Sequence, residues 1–266
     1  MQRLLPALAL LALGGNALAA PPVRFLREQR QVTVAGQQEV WKLVWIGQPR
    51  SFCGPEDPEM AMTCPCSGWA YGGYGRLQLQ RQRGGKVVDT LELGPLFGDA
   101  LPVSNAADLA GMPWRPMYDR DWMSVEGPPD AATLSEIRRR PGLRIIDLAD
   151  YDHDGVASEF LVQVDTLPCG KHLYAAVGIS RLNPKLHALS STGHPERPLI
   201  MPGQVWEALR QFPASRWTPT WECDDHGSEV HTDLQTSARG GRLTVRNRAI
   251  ECHGPREGKL SSDEPF

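Results

Sequence analysis

The chain has 266 residues, 41 % of them hydrophobic and 22 % charged, with a formal net charge of −3 at pH 7. Those proportions belong to a globular protein with a core and exclude wholesale disorder. The weak acidic balance, with no basic run longer than Arg138-Arg139-Arg140, argues against a nucleic-acid binder, and 26 glycines with 23 prolines argue against a helical bundle.

The first 19 residues carry Arg3, an apolar run from Leu4 to Leu13, and Ala17-Leu18-Ala19. This is the charged, apolar and small-residue order of a secretory signal peptide, with cleavage expected after Ala19. The run is about half of the roughly 20 residues that span a bilayer, so no membrane span is expected, and the mature protein is placed in the periplasm or secreted. All six cysteines, Cys53, Cys64, Cys66, Cys169, Cys223 and Cys252, lie beyond the leader and read as disulfide partners in an oxidising compartment. Neighbours in Cys64-Pro65-Cys66 rarely bridge each other, so they are expected to take different partners, and nearby Cys53 is a local candidate for one of them. Cys223 with Cys252 would staple the base of a C-terminal hairpin.

Residues 20–93 read as an N-terminal β region. Val40 to Ile46 is rich in aromatic and β-branched residues, and Arg76 to Gln80 alternates polar and apolar as a half-buried strand does. Gly84-Gly85 then turns the chain into Val87 to Leu91, a hairpin with a two-residue loop. Trp69 and Tyr71, among Gly68, Gly72, Gly73 and Gly75, would share a strand face able to stack on a sugar ring, or else cover a disulfide. Residues 94–129 hold six prolines and no sustained period, which predicts a long irregular loop or crossing. In the following β region, 130–257, Asp130 is placed to cap a short helix that Pro141 ends.

Ile145 to Ala149 is apolar enough for a strand and runs into Asp150-Tyr151-Asp152-His153-Asp154-Gly155. Alternate carboxylates in a tight turn aim at one point and repel unless a cation sits among them. A hard ion with oxygen ligands, calcium, suits Asp150, Asp152 and Asp154, with the Val156 carbonyl and Glu159 completing the set. Counting from Asp150, the twelfth position is Leu161, where an EF-hand has Glu, and the flanks read as strands. The strand–DxDxDG–strand order resembles the calcium loops of integrin-type FG-GAP and VCBS repeats of secreted bacterial proteins. Those repeats usually place the closing acid ninth; here Ser158 is ninth and Glu159 tenth. The resemblance implies a calcium-stabilised extracytoplasmic protein and covers Ile145 to Val164 only.

Phe160 to Val164 and Leu173 to Ile179 read as paired strands, the second apolar on both faces and hence central. Val205, Leu209 and Phe212 fall at helical spacing within Gln204 to Phe212. Asp225, His226 and Glu229 are candidate acid–base groups beside Cys223, although no nucleophile motif accompanies them. Val230 to Thr236, Gly240-Gly241 and Leu243 to Val245 form a last hairpin, and residues 258–266 read as a disordered polar tail. The sum is a mainly β antiparallel meander, propeller-like or sandwich-like, with two short helices. Its expected role is that of a calcium-stabilised, disulfide-braced binding or structural protein with an extracytoplasmic partner or glycan. The alternative is a secreted hydrolase acting on wall or glycan material through the Asp/His cluster.

Overall fold

The computed structural model describes residues 22–54, 69–98, 101, 106–116, 118, 130–167, 171–217, 223, 229–254 and 256–266. The first sheet is an antiparallel meander of β1 (Arg24–Val34), β2 (Gln37–Phe52), β3 (Trp69–Arg83) and β4 (Lys86–Glu92), with β5 (Ala110–Pro116) paired to the start of β3. Gly84 and Gly85 join β3 to β4 with φ of +52° and +78°, the pair of positive values that a tight hairpin with the strands' own twist requires. A second sheet holds β6 (Glu159–Leu167), β7 (Lys171–Gly178), β8 (His187–Ala188) and β9 (Ile200–Pro202), with β7 central. The third is a meander of β10 (Ala214–Trp217), β11 (Val230–Arg239), β12 (Arg242–His253) and β13 (Arg256–Pro265). Two helices accompany them, α1 (Ala131–Arg139) and α2 (Gly203–Gln211). Asp130 caps α1 by accepting from Thr133 N at 2.7 Å.

Strand alternation explains the layering. Trp41, Leu43 and Trp45 of β2 and Leu77 and Leu79 of β3 point to one face of the first sheet and are buried against Phe160, Val162 and Val164 of β6 and Ala175 and Val177 of β7. Trp41 and Phe160 meet edge to face across the layers, their ring centroids 6.3 Å apart. The opposite faces of β6 and β7 carry Leu161, Tyr174 and Ala176, which pack on Val205, Trp206 and Leu209 of α2 and on Leu234, Ala238, Leu243 and Val245 of the third sheet. Each large apolar side chain so buried contributes about 1.5–3 kcal/mol. The second sheet is therefore covered on both sides, which is why β7 reads as apolar throughout. The fold is mainly β, sandwich-like, with antiparallel sheets and two short helices.

Four expectations need correction. Residues 94–129 are not irregular throughout, because β5 lies among them. Its Pro113 and Pro116 are tolerated because, among the described residues, β5 pairs with β3 alone and stands at an edge, where a missing N–H costs nothing. Residues 258–266 are not a disordered tail, since β13 covers nearly all of them and pairs with β12. The segment before Asp150 is not a strand; only Ala149 forms a bridge, with Glu159. Finally, α2 ends at Gln211, and Phe212 is extended and 58 % exposed rather than on the buried face.

Cys223 and Cys252 form a disulfide with their Cα atoms 5.2 Å apart. Cys53 is also disulfide-bonded, while Cys64, Cys66, Cys169 and residues 1–21, which include the expected leader, lie outside the described residues. Among the described residues no helix is long and apolar enough to cross a membrane.

Candidate metal centre

The acidic loop is closed by backbone before any side chain acts. Ala149 N donates to Glu159 O at 2.7 Å and Glu159 N to Ala149 O at 3.1 Å, so the chain leaves and returns at one point. Inside, Asp150 Oδ1 accepts from Asp154 N at 3.0 Å and Asp150 Oδ2 from Gly155 N at 2.9 Å. Asp152 Oδ1 accepts from Asp154 N at 3.1 Å. Glu159 Oε2 accepts from Tyr151 N at 2.9 Å. Turn residues with short acidic side chains bind their own backbone in this way, and here the donors turn the carboxylates inward.

Asp150, Asp152 and Glu159 each place one carboxylate oxygen within 4.8 Å of the others. Asp152 and Glu159 are fully buried, and Asp152 Oδ2 has no hydrogen-bond partner. Burial, followed by repulsion from Asp154, pushes the Asp152 carboxyl up to about 7. Burial, followed by repulsion from Asp152, pushes the Glu159 carboxyl up to about 9. An orphaned carboxylate oxygen facing two further carboxylates is costly without a cation. Three hard oxygen donors fit a hard ion such as calcium. This acidic trio can thus hold one metal ion.

The expected ligands do not all converge. Asp154 stands outside the trio, its Oδ1 accepting from Val156 N at 2.8 Å and its Oδ2 from Arg181 N at 2.6 Å. Val156 packs against the first core, and its carbonyl lies 3.3 Å from Ser158 Oγ. Ser158 Oγ also sits 2.7 Å from both Glu159 Oε1 and Ile179 O, so it orients the glutamate from behind. Glu159 reaches the trio from the tenth position because it is the first residue of β6 and opens the outgoing strand.

Several neighbours were not foreseen from sequence. His153 takes a φ of +49°, and its Nε2–H donates to Leu209 O at 2.5 Å, tying the loop to the last turn of α2. Gly240 N donates to His153 O at 2.9 Å and Gly241 N to Asp152 O at 3.0 Å, so the β11–β12 turn rests on the loop. Tyr151 is buried edge-on to Trp206, centroids 5.7 Å apart. At Gly178, opposite Glu159, a Cβ would come within 2.1 Å of Ser158 O. The sequence signal for that glycine was its place in an apolar strand.

The other candidates fare differently. Asp225 and His226 lie outside the described residues. Glu229 is exposed, and its backbone carbonyl accepts from Cys252 N at 2.9 Å at the base of the last hairpin. Trp69 is buried edge-on to Phe52, which removes the flat aromatic face considered for a sugar. Tyr71 Oη accepts from Arg138 Nε at 3.0 Å. Compared with protein-family models, curated proteins and solved structures, the chain matches none.

Proposed function

We propose that the chain is an extracytoplasmic, disulfide-braced binding or structural protein whose Asp150, Asp152 and Glu159 carboxylates hold one calcium ion, with Asp154 and the Val156 carbonyl supporting that loop. The observation that carries this reading is Asp152 Oδ2, buried and without a hydrogen-bond partner beside two further carboxylates. The signal-peptide pattern, the Cys223–Cys252 bridge and the bonded Cys53 support the compartment. The likeness of the DxDxDG stretch to FG-GAP and VCBS loops supports calcium over a transition metal, as do donors that are all oxygen. The ion acts as a fastener. Its loop touches the first core through Val156, the second core through Tyr151, α2 through His153 and the third sheet through Gly240 and Gly241.

An extracellular-type site binds calcium with a dissociation constant of about 10⁻⁴–10⁻³ M. Calcium at ten times that constant stabilises the fold by about 1.4 kcal/mol. Calorimetric titration of the metal-stripped mature chain is expected to give one site in this range, absent in Asp152→Asn. Absence of both binding heat and a rise in melting temperature on adding calcium would overturn the reading.

A further inference from the structure

A cleft of about 310 Å³ opens on the outer side of the acidic loop, where the first sheet meets the segment after β7. Its apolar lining comes from Val34 at the end of β1, Val156 and Ile179. Three arginines also line it, Arg81 and Arg83 near the end of β3 and Arg181 after β7.

Arg83 and Arg181 differ from Arg81 in what they have left to bind. Buried Glu39 takes Arg81 through both oxygens, Nε and Nη2 each at 2.8 Å, and Arg81 Nη1 donates to Pro184 O at 2.8 Å, so Arg81 is committed. Arg83 spends only its Nε on Glu39, at 2.7 Å, and its two terminal nitrogens have no partner among the described residues. Glu39 is thus shared by two guanidinium groups. The side chain of Arg181 has neither hydrogen bond nor ion pair among the described residues. It lies beside Gly155, where a Cβ would be 3.4 Å from Arg181 Nη2. Asp154, the acid lining this cleft, has each oxygen occupied by a backbone N–H, from Val156 and from Arg181. A guanidinium fork matches a carboxylate in shape and charge, and a mainly apolar cleft of this size accepts a small organic body.

We propose that this cleft is a binding site for a small organic carboxylate, its anion held between Arg83 and Arg181 and its apolar body laid against Val34, Val156 and Ile179. The inference goes beyond the metal site, since neither arginine belongs to the acidic loop.

Phenylacetate is a suitable probe, with uncharged phenylacetamide and inorganic phosphate as controls, titrated into the full mature chain in calcium-containing buffer. The arginine Nε–H signals of Arg83 and Arg181 in nitrogen-15 NMR spectra are expected to shift saturably with phenylacetate. Both controls are expected to bind at least tenfold more weakly, about the effect of one charge-assisted hydrogen bond or of the buried ring. Arg181→Gln, which removes no side-chain hydrogen bond or ion pair among the described residues, is expected to keep its melting temperature and weaken phenylacetate by about tenfold. No saturable shift, equal binding of either control, or undiminished binding by Arg181→Gln would each overturn the proposal.

Discussion

Asp152 and Glu159 are stable in the metal-free fold chiefly as neutral acids, because burial pushes them up to about 7 and about 9. Their folded values exceed the unfolded ones, so the stability they allow is complete below about pH 4 and is lost as pH climbs through 7 and 9. Glu39 behaves oppositely. Its burial opposes ionisation, but hydrogen bonds from Arg81, Trp41 and Arg83 outweigh that and hold it at about 2. Its contribution is present above its ordinary value and is lost as pH falls toward 2. Thermal melts of the metal-stripped chain are therefore expected to peak in mildly acidic buffer and decline toward pH 9, with calcium abolishing the alkaline decline. A metal-free melting temperature flat from pH 5 to 9 would contradict the buried charges. Asp152→Asn keeps the shape and removes the anion, so the metal-free variant is expected to gain about 1–3 kcal/mol in denaturant titration at pH 8 while losing its calcium response. The convergence of Asp150, Asp152 and Glu159 was legible because their spacing is local. The turning away of Asp154 was not, since it depends on the left-handed His153 and on the backbone of Arg181, 27 residues on.

Hairpins with glycine pairs were legible to within a residue or two, as in Gly84-Gly85 and Gly240-Gly241, because the turn itself dictates the positive φ. Edge strands were not. β13 is almost wholly exposed and lacks apolar alternation, and it is held to β12 by backbone pairing that any side chains allow. β5 hides behind its prolines for the related reason that an edge strand needs only one row of donors. The exit of the acidic loop shows what an element demands of one residue. β7 passes so close to Ser158 and Glu159 that Gly178 has no room for a methyl group, Ser158 O lying 2.1 Å from the Cβ position. Gly178→Ala is expected to cost about 3 kcal/mol in chemical denaturation, as overpacking does, and to weaken calcium binding by displacing Glu159. A variant of wild-type stability and affinity would show that β7 can move away at no cost.

The molecule is a stack in which the second sheet is sandwiched between the first sheet and the layer of α2 and the third sheet. The doubly apolar β7 announced that central position, but the partner of each face depends on long-range packing that no local pattern records. Two braces act on the third sheet from opposite ends of the β11–β12 hairpin. Cys252, beside Glu229 and Val230, is bridged to Cys223 at the base, and Gly240-Gly241 at the tip rests on the backbone of the acidic loop. Ten paired positions separate base from tip, roughly 30 Å at strand rise, well beyond the range at which substitutions usually couple. The bridge closes a loop with a sequence separation of 29, and chain entropy sets its contribution at about 3.5 kcal/mol. Replacing both Cys223 and Cys252 with Ala is therefore expected to remove about 3.5 kcal/mol while leaving the calcium dissociation constant unchanged. Combined with Asp152→Asn in a double-mutant cycle measured in calcium, the two stability changes should add to within about 0.5 kcal/mol. A larger coupling would mean that the hairpin transmits strain along its length, and that base and tip are one brace instead of two.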